Sequence, residues 1–167
     1  MLSLLYPDHY VHRIWDLSPE WLASHNIKVL LLDIDNTLTT HNNPDVPAEV
    51  MQWIHKIKQA GIRLFILSNN YPKRVAPFAQ KLGVEYIANA AKPLDFGIRR
   101  VLKRLHANRR SLAMVGDQLF TDILCAKSAG VISILVEPME KEPFLFFRLK
   151  RRIEKKVLQN YHRGERL

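Results

Sequence analysis

Five short apolar runs, each stopping at a polar turn and separated by stretches of helical spacing, constrain this chain more than any other feature. They read VLLLDIDNT from Val29, IRLFILSNN from Ile62, VEYIANA from Val84, SLAMVGD from Ser111 and VISILVEP from Val131. Runs this short, rich in Val, Ile and Leu, fit strands buried on both faces better than helices. Between them, PAEVMQWIHKIKQAG puts Val50, Trp53, Ile54 and Ile57 on one helical face, with Gly61 as its stop. YPKRVAPFAQKLGV reads as a helix stopped at Gly83 despite Pro77, and QLFTDILCAKSAG as a helix stopped at Gly130. PLDFGIRRVLKRLH sets a proline at the first turn and continues through Leu94, Ile98, Val101, Leu102 and Leu105. The expected fold is α/β, a Rossmann-like doubly wound parallel sheet with helices on both faces.

At 167 residues the chain suits a single domain with a real core. That core should span about 28–138, with an N-terminal extension over 1–27 and a basic extension over 139–167. No apolar run approaches the roughly 20 residues that cross a bilayer. The opening MLSLLYPDHY lacks the basic and apolar regions of a secretory signal. Cys125 is the one cysteine, so no internal disulfide or cysteine-based zinc site forms, and a reducing, cytoplasmic setting is expected. His9 and His12 stand three apart but lack a third ligand, so packing or surface roles are expected of them.

In doubly wound sheets, ligands bind beyond the carboxyl ends of the strands, where strand order switches. That rule selects Asp33 with Asp35, Ser68 with Asn69, and Asp117, with Lys92 following the short third strand. Asp33 and Asp35, two apart in a strand, leave it on one side, and paired carboxylates need a cation, a shared proton or strong donors. Asp117 adds a hard oxygen ligand of the kind magnesium takes, and Lys92 a fixed cation. Such a set suits phosphoryl transfer, where positioning and charge neutralisation are most of the task.

The same residues carry a family resemblance. DIDNT resembles the first motif, D-x-D-x-T, of the haloacid dehalogenase-like (HAD) phosphatases; LSN resembles the second, Lys92 the third and GDQLFTD the fourth. The resemblance implies that Asp33 attacks phosphorus to form an aspartyl-phosphate. Asp35 then serves as acid for the leaving oxygen and as base for the hydrolytic water. It further implies that Thr37 holds the turn at the phosphate site, and that Ser68 and the backbone at Asn69 bind phosphoryl oxygens. Lys92 steadies nucleophile and phosphate. Mg²⁺ is implied as cofactor, held by Asp33, Asp117 and the backbone carbonyl of Asp35, with Asp122 orienting a metal-bound water or Lys92.

Many such phosphatases insert a cap domain between motifs. Only 32 residues separate Asp35 from Ser68 and 23 separate Ser68 from Lys92, so neither gap holds one. The open site suits a bulky or interface-bound substrate; an oligomer partner closing it is the competing explanation. Together with YPDHYVHRIWDL near the start, the motifs resemble the YqeG-type branch, which includes phosphatidylglycerophosphate phosphatases. The implied function is dephosphorylation of an anionic phospholipid at the inner membrane face.

Charge adds an independent reason. Of the net +9, residues 138–167 supply nine Lys/Arg against four acids, while 1–27 hold one Arg against three. In PFLFFRLKRRIEKKVLQNYHRG, residues Phe146, Leu149, Ile153, Val157 and Tyr161 recur at helical spacing. Lys150, Arg151, Arg152, Lys155 and Lys156 crowd the other sides. A basic amphipathic helix reads either as binding an anionic membrane surface or as a terminal helix docked on the domain. The alternatives in function are a soluble sugar, amino-alcohol or nucleotide phosphatase, and a basic nucleic-acid-binding protein with an inactive fold. No aromatic-rich RNA motif supports the last.

Overall fold

Alternation within one fully buried strand sets the layering. The computed structural model of the chain describes residues 2–140 and 145–164. Strand β2 (Val29–Leu32) is buried at all four positions, Leu30 and Leu32 entering one hydrophobic cluster and Val29 and Leu31 the other. A helix must therefore cover each face. On the first face lie α2 (Ala48–Gln59) and α3 (Pro72–Leu82), through Val50, Trp53, Ile54, Ile57, Val75 and Phe78. All three tryptophans belong to this layer, Trp53 buried in it and Trp15 and Trp21 packed against it. On the second face lie α4 (Phe96–Leu105) and α5 (Leu124–Ala129), through Ile98, Val101, Cys125, Ala126 and Ala129.

The strands are β1 (His9–Val11), β2, β3 (Arg63–Leu67), β4 (Glu85–Ile87), β5 (Leu112–Gly116) and β6 (Ile132–Val136), all parallel, in the order β1-β6-β5-β2-β3-β4. The doubly wound α/β sheet expected from the apolar runs is the fold that forms. From β2 the chain winds outward to β4, then crosses back to β5 on the other side of β2. The switch in strand order thus lies between β2 and β5, beyond whose ends stand Asp33 and Asp117. A turn and α2 fill the chain between β2 and β3, and no further domain is inserted among the described residues.

Three local expectations change. The 1–27 stretch, expected as a flanking extension, supplies the edge strand β1, in register with β6 (His9 opposite Ile134), and α1 (Pro19–Ser24). Three residues are too short for a period-two signal. Pro93 does not open α4; the helix begins three residues later at Phe96, and Leu94 stands exposed outside it. QLFTDILCAKSAG is not one regular helix but a π-turn over Leu119–Ile123 running into α5. Its wide turn points Asp122 inward, beside a carboxylate-lined site.

Finally, the basic tail forms α6 (Leu145–Gly164), and the helix docks on the domain. Val157 joins Leu119, Ile123 and Leu135 in a third cluster, Leu158 packs against it, and the Tyr161 ring meets Tyr6 at 5.3 Å. The apolar stripe is therefore split. Val157 and Tyr161 face the domain, whereas Leu149 and Ile153 stay about half exposed. The side chain of Phe146 lies outside the described residues. Among those described, no helix is long and apolar enough to cross a membrane.

Candidate active site

Asp33 follows the last residue of β2, and its backbone N–H still bonds to Val115 on β5, so its side chain leaves the sheet between the two strands. Lys92, buried and following β4, reaches back across the sheet ends. Its Nζ donates to Asp33 Oδ1 and to Asp122 Oδ1, each at 2.7 Å. Burial depresses the lysine pKa, but Asp122 and Asp33 together outweigh it and hold the ammonium above its ordinary value. The carboxyl of Asp33 is pushed up to about 6 by burial, against the pull of Lys92. A group so buried and so paired is expensive to maintain unless its neighbours need the charge.

Two features fix this corner. Gly116 leaves room for Asp122: a Cβ at position 116 would overlap the Asp122 carboxylate, so the glycine before Asp117 is a matter of space. Asp122 Oδ2 also accepts from the Gln118 N–H at 3.1 Å, tying the turn after β5 to itself. Asn69 holds the lysine from the other side. Its Nδ2 donates to the Lys92 carbonyl at 2.9 Å and its Oδ1 accepts from the Lys92 N–H at 2.7 Å. The Asn69 side chain is thus a clasp on the lysine backbone. Ser68 is buried, and its hydroxyl accepts from the Asn70 N–H at 3.1 Å. Thr37 is buried with its hydroxyl lacking a partner, in the turn where Asn36 takes a left-handed conformation (φ 61°).

Asp33, Asp117 and Asp122 offer oxygens within 4.8 Å of one another. Asp117 Oδ1 is buried without a hydrogen-bond partner, and burial raises this carboxyl well above its usual value, against Arg151. Unpartnered buried oxygens are rare unless something binds there. Three hard oxygens and one orphan among them fit a small divalent cation. The Asp35 carboxylate is outside this group. It accepts from Asn70 Nδ2 at 2.5 Å, from Arg74 Nη2 at 3.1 Å and from the Asn42 N–H at 2.8 Å. His9 and His12 do not converge: His9 stands edge-on to Trp21, and His12 pairs with Glu137.

Two participants were not foreseen. Arg74, in the first turn of α3, grips Asp35 and the Asn43 carbonyl and lies over the Phe78 ring. No motif marks it. Arg151, on α6, pairs with Asp117 Oδ2 and also donates to the Asp117 carbonyl at 2.5 Å. Its neighbours grip the same turn: Lys150 donates to Gln118 Oε1 at 2.6 Å, and buried Glu154 accepts from the Phe120 N–H at 3.3 Å. Glu154 was the available signal. It is the one acid in the run 148–156, three and seven residues before Val157 and Tyr161, so it marks the docked face.

The description haloacid dehalogenase-like hydrolase matches residues 44–130 of the chain. "Probable phosphatase YqeG" of Bacillus subtilis is 32% identical over 152 residues, covering 91% of this chain and 88% of the relative. "Phosphatidylglycerophosphate phosphatase 1, chloroplastic/mitochondrial" of Arabidopsis thaliana is 26% identical over 155 residues, covering 86% of this chain but 44% of that protein. Among solved structures, the cobalt-bound deoxy-D-mannose-octulosonate 8-phosphate phosphatase of Haemophilus influenzae superposes with a TM-score of 0.54. It is 16% identical, over 81% of this chain and 89% of that one, which speaks for the fold.

Proposed function

Because this chain belongs to the haloacid dehalogenase-like hydrolase family and is a phosphatase within it, we propose that it cleaves phosphomonoesters through Asp33, with Mg²⁺ as cofactor and phosphatidylglycerophosphate as substrate. One observation carries the chemistry: Lys92, Asp33 and Asp122 form a buried, mutually bonded set at the strand-order switch, with an unpartnered oxygen of Asp117 beside it.

In this reading an Asp33 carboxylate oxygen attacks phosphorus and the bond from phosphorus to the alcohol oxygen breaks, leaving an aspartyl-phosphate. Asp35 gives its proton to the departing oxygen, and the alcohol leaves. Doing so requires Asp35 to turn from Asn70 and Arg74, which hold it in the resting site. Asp35 then takes a proton from water, whose oxygen attacks phosphorus. The bond from phosphorus to the Asp33 oxygen breaks, freeing inorganic phosphate. Lys92 keeps Asp33 aimed and meets negative charge on the phosphoryl oxygens, aided by Ser68 and the Asn69 backbone. Asp33, Asp117 and the Asp35 carbonyl would hold Mg²⁺, whose charge offsets that of the phosphate dianion when bound.

The lipid substrate rests on α6 and on the Arabidopsis relative's name. The helix flanks the uncapped site and keeps Leu149 and Ile153 exposed among Arg148, Arg152, Lys155 and Lys156. Such a face suits an anionic bilayer, to which each basic residue adds about 1 kcal/mol at low salt. The test compares turnover of phosphatidylglycerophosphate in vesicles with a panel of soluble sugar, amino-alcohol and nucleotide phosphates. The lipid should exceed every soluble ester in kcat/KM, and Leu149→Glu with Ile153→Glu should weaken vesicle binding. A soluble phosphate turned over faster than the lipid would move the reading to a metabolite phosphatase.

A further inference from the structure

An open groove of about 980 Å³ runs from Asp117 between α6 and the chain leaving β6. One wall is basic, with Arg148, Arg152 and Lys155 projecting from α6, and the other is apolar, with Val136, Pro138 and Met139. Three acids besides Asp117 also line it, and each is engaged. Glu137 takes the Tyr10 hydroxyl at 2.9 Å and His12 at 2.6 Å; Glu140 accepts the His41 N–H at 2.6 Å; Glu154 holds Phe120 and Arg151. The field a ligand meets from the α6 wall is therefore positive.

The groove also borders the turn that carries the general acid. The N–H groups of Met139 and Glu140 donate to the carbonyl and side-chain oxygen of Asn36, each at 3.3 Å. Asn36 is the residue after Asp35. A groove lined by Asp117 at one end, and by Met139 and Glu140, which tie it to the Asp35 turn, is placed to receive whatever is attached to the departing oxygen. Its α6 wall is cationic, and its other wall is apolar apart from Glu137 and Glu140, whose carboxylates are turned to Tyr10, His12 and His41. An alcohol bearing its own anion on the α6 side and a hydrocarbon-rich body suits that pairing.

We propose that this groove is the leaving-group subsite, and that it selects phosphomonoesters whose alcohol carries a second anionic group, held by Arg152 and Lys155. The proposal rests on the phosphatase reading of the Asp33 site and deepens it, because it assigns selectivity to the α6 wall and not to membrane attachment. The two contributions separate with soluble substrates, which need no bilayer.

The experiment measures kcat/KM for glycerol 3-phosphate and for glycerophosphoglycerol phosphate, the deacylated headgroup carrying a phosphodiester as its second anion. The full chain should favour the second ester by about tenfold or more, since one well-placed charged contact can supply that factor. In the double variant Arg152→Glu, Lys155→Glu the ratio should fall to about one or below. Both side chains are exposed, and using a ratio within each preparation removes any effect on folded fraction. A ratio near one in the unaltered chain overturns the proposal, as does a ratio that the charge reversal leaves intact. If the headgroup preference holds while vesicle lipid goes unhydrolysed, the lipid reading fails and the subsite stands. If no phosphate ester is cleaved at all, the phosphatase reading fails and takes the proposal with it.

Discussion

The site has two corners that solve the same electrostatic problem differently. In the Asp33 corner, Lys92, held by Asn69, bonds to two aspartates from within the sheet framework, and Gly116 leaves space for one of them, Asp122. In the Asp117 corner, the counter-charge arrives from outside the sheet, on a helix attached by Val157, Leu158 and Tyr161. The first corner is built from consecutive strand ends and cannot come apart without unfolding the domain. The second depends on a small satellite cluster, and small clusters open locally at lower cost than a core. In the proposed mechanism, reaction chemistry belongs to the rigid corner, and metal retention is divided between the two.

The largest expected effect separates them directly. Asp33→Asn should lower kcat by about 10⁴-fold or more at any Mg²⁺ concentration, as removal of a covalent nucleophile does. Asp117→Asn should lose activity at low Mg²⁺ and regain a measurable part as the metal is raised. Steady-state rates across a Mg²⁺ titration check both. Equal, metal-independent loss in the two variants would erase the distinction between the corners.

Next in size is Lys92→Ala. Removing the lysine leaves Asp33 and Asp122 buried and facing each other, so kcat/KM should fall by about 10²- to 10³-fold. Thermal stability of the metal-free protein should fall too, since stripping one partner from a buried ion pair costs about 3–5 kcal/mol. Added Mg²⁺ should restore part of that stability, because a cation held by Asp33 and Asp117, close to Asp122, replaces some of the missing charge. An unchanged melting temperature would mean that the lysine is not the internal counter-ion of this corner.

The smallest effect probes the other corner. Arg151→Ala should weaken Mg²⁺ binding, measured by calorimetry, by about 10- to 100-fold, the usual cost of losing a residue that orients a metal ligand. Its kcat at saturating Mg²⁺ should stay within a few-fold of the unaltered chain. Tighter metal binding in the variant would reverse the assignment and make Arg151 a competitor of the metal on Asp117.

How far the sequence revealed each corner follows from how each is held. Strand ends were legible because β2, β3 and β5 are buried on both faces, so their apolar runs stop where the backbone leaves the sheet, at Asp33, Ser68 and Asp117. Lys92 was legible through motif order alone; nothing local distinguishes it from a surface lysine. The tail showed its helical period but not its orientation. Five Lys/Arg in the seven residues 150–156 make any one of them equivalent by pattern, and which meets Asp117 is decided by docking. Arg74 was hidden for a related reason, since its contact with Asp35 spans 39 residues and carries no periodic signal.

The layering of the core also determines what can be watched. Trp15, Trp21 and Trp53 all sit on the face covered by α2 and α3, whereas α6 rests on Leu119, Ile123 and Leu135. Intrinsic tryptophan emission is therefore a one-sided reporter, responding when that face melts and staying silent if α6 lifts away alone. The Tyr6–Tyr161 pair occupies the blind side. A probe placed there would register detachment of the arginine-bearing helix while the tryptophan signal still described an intact protein.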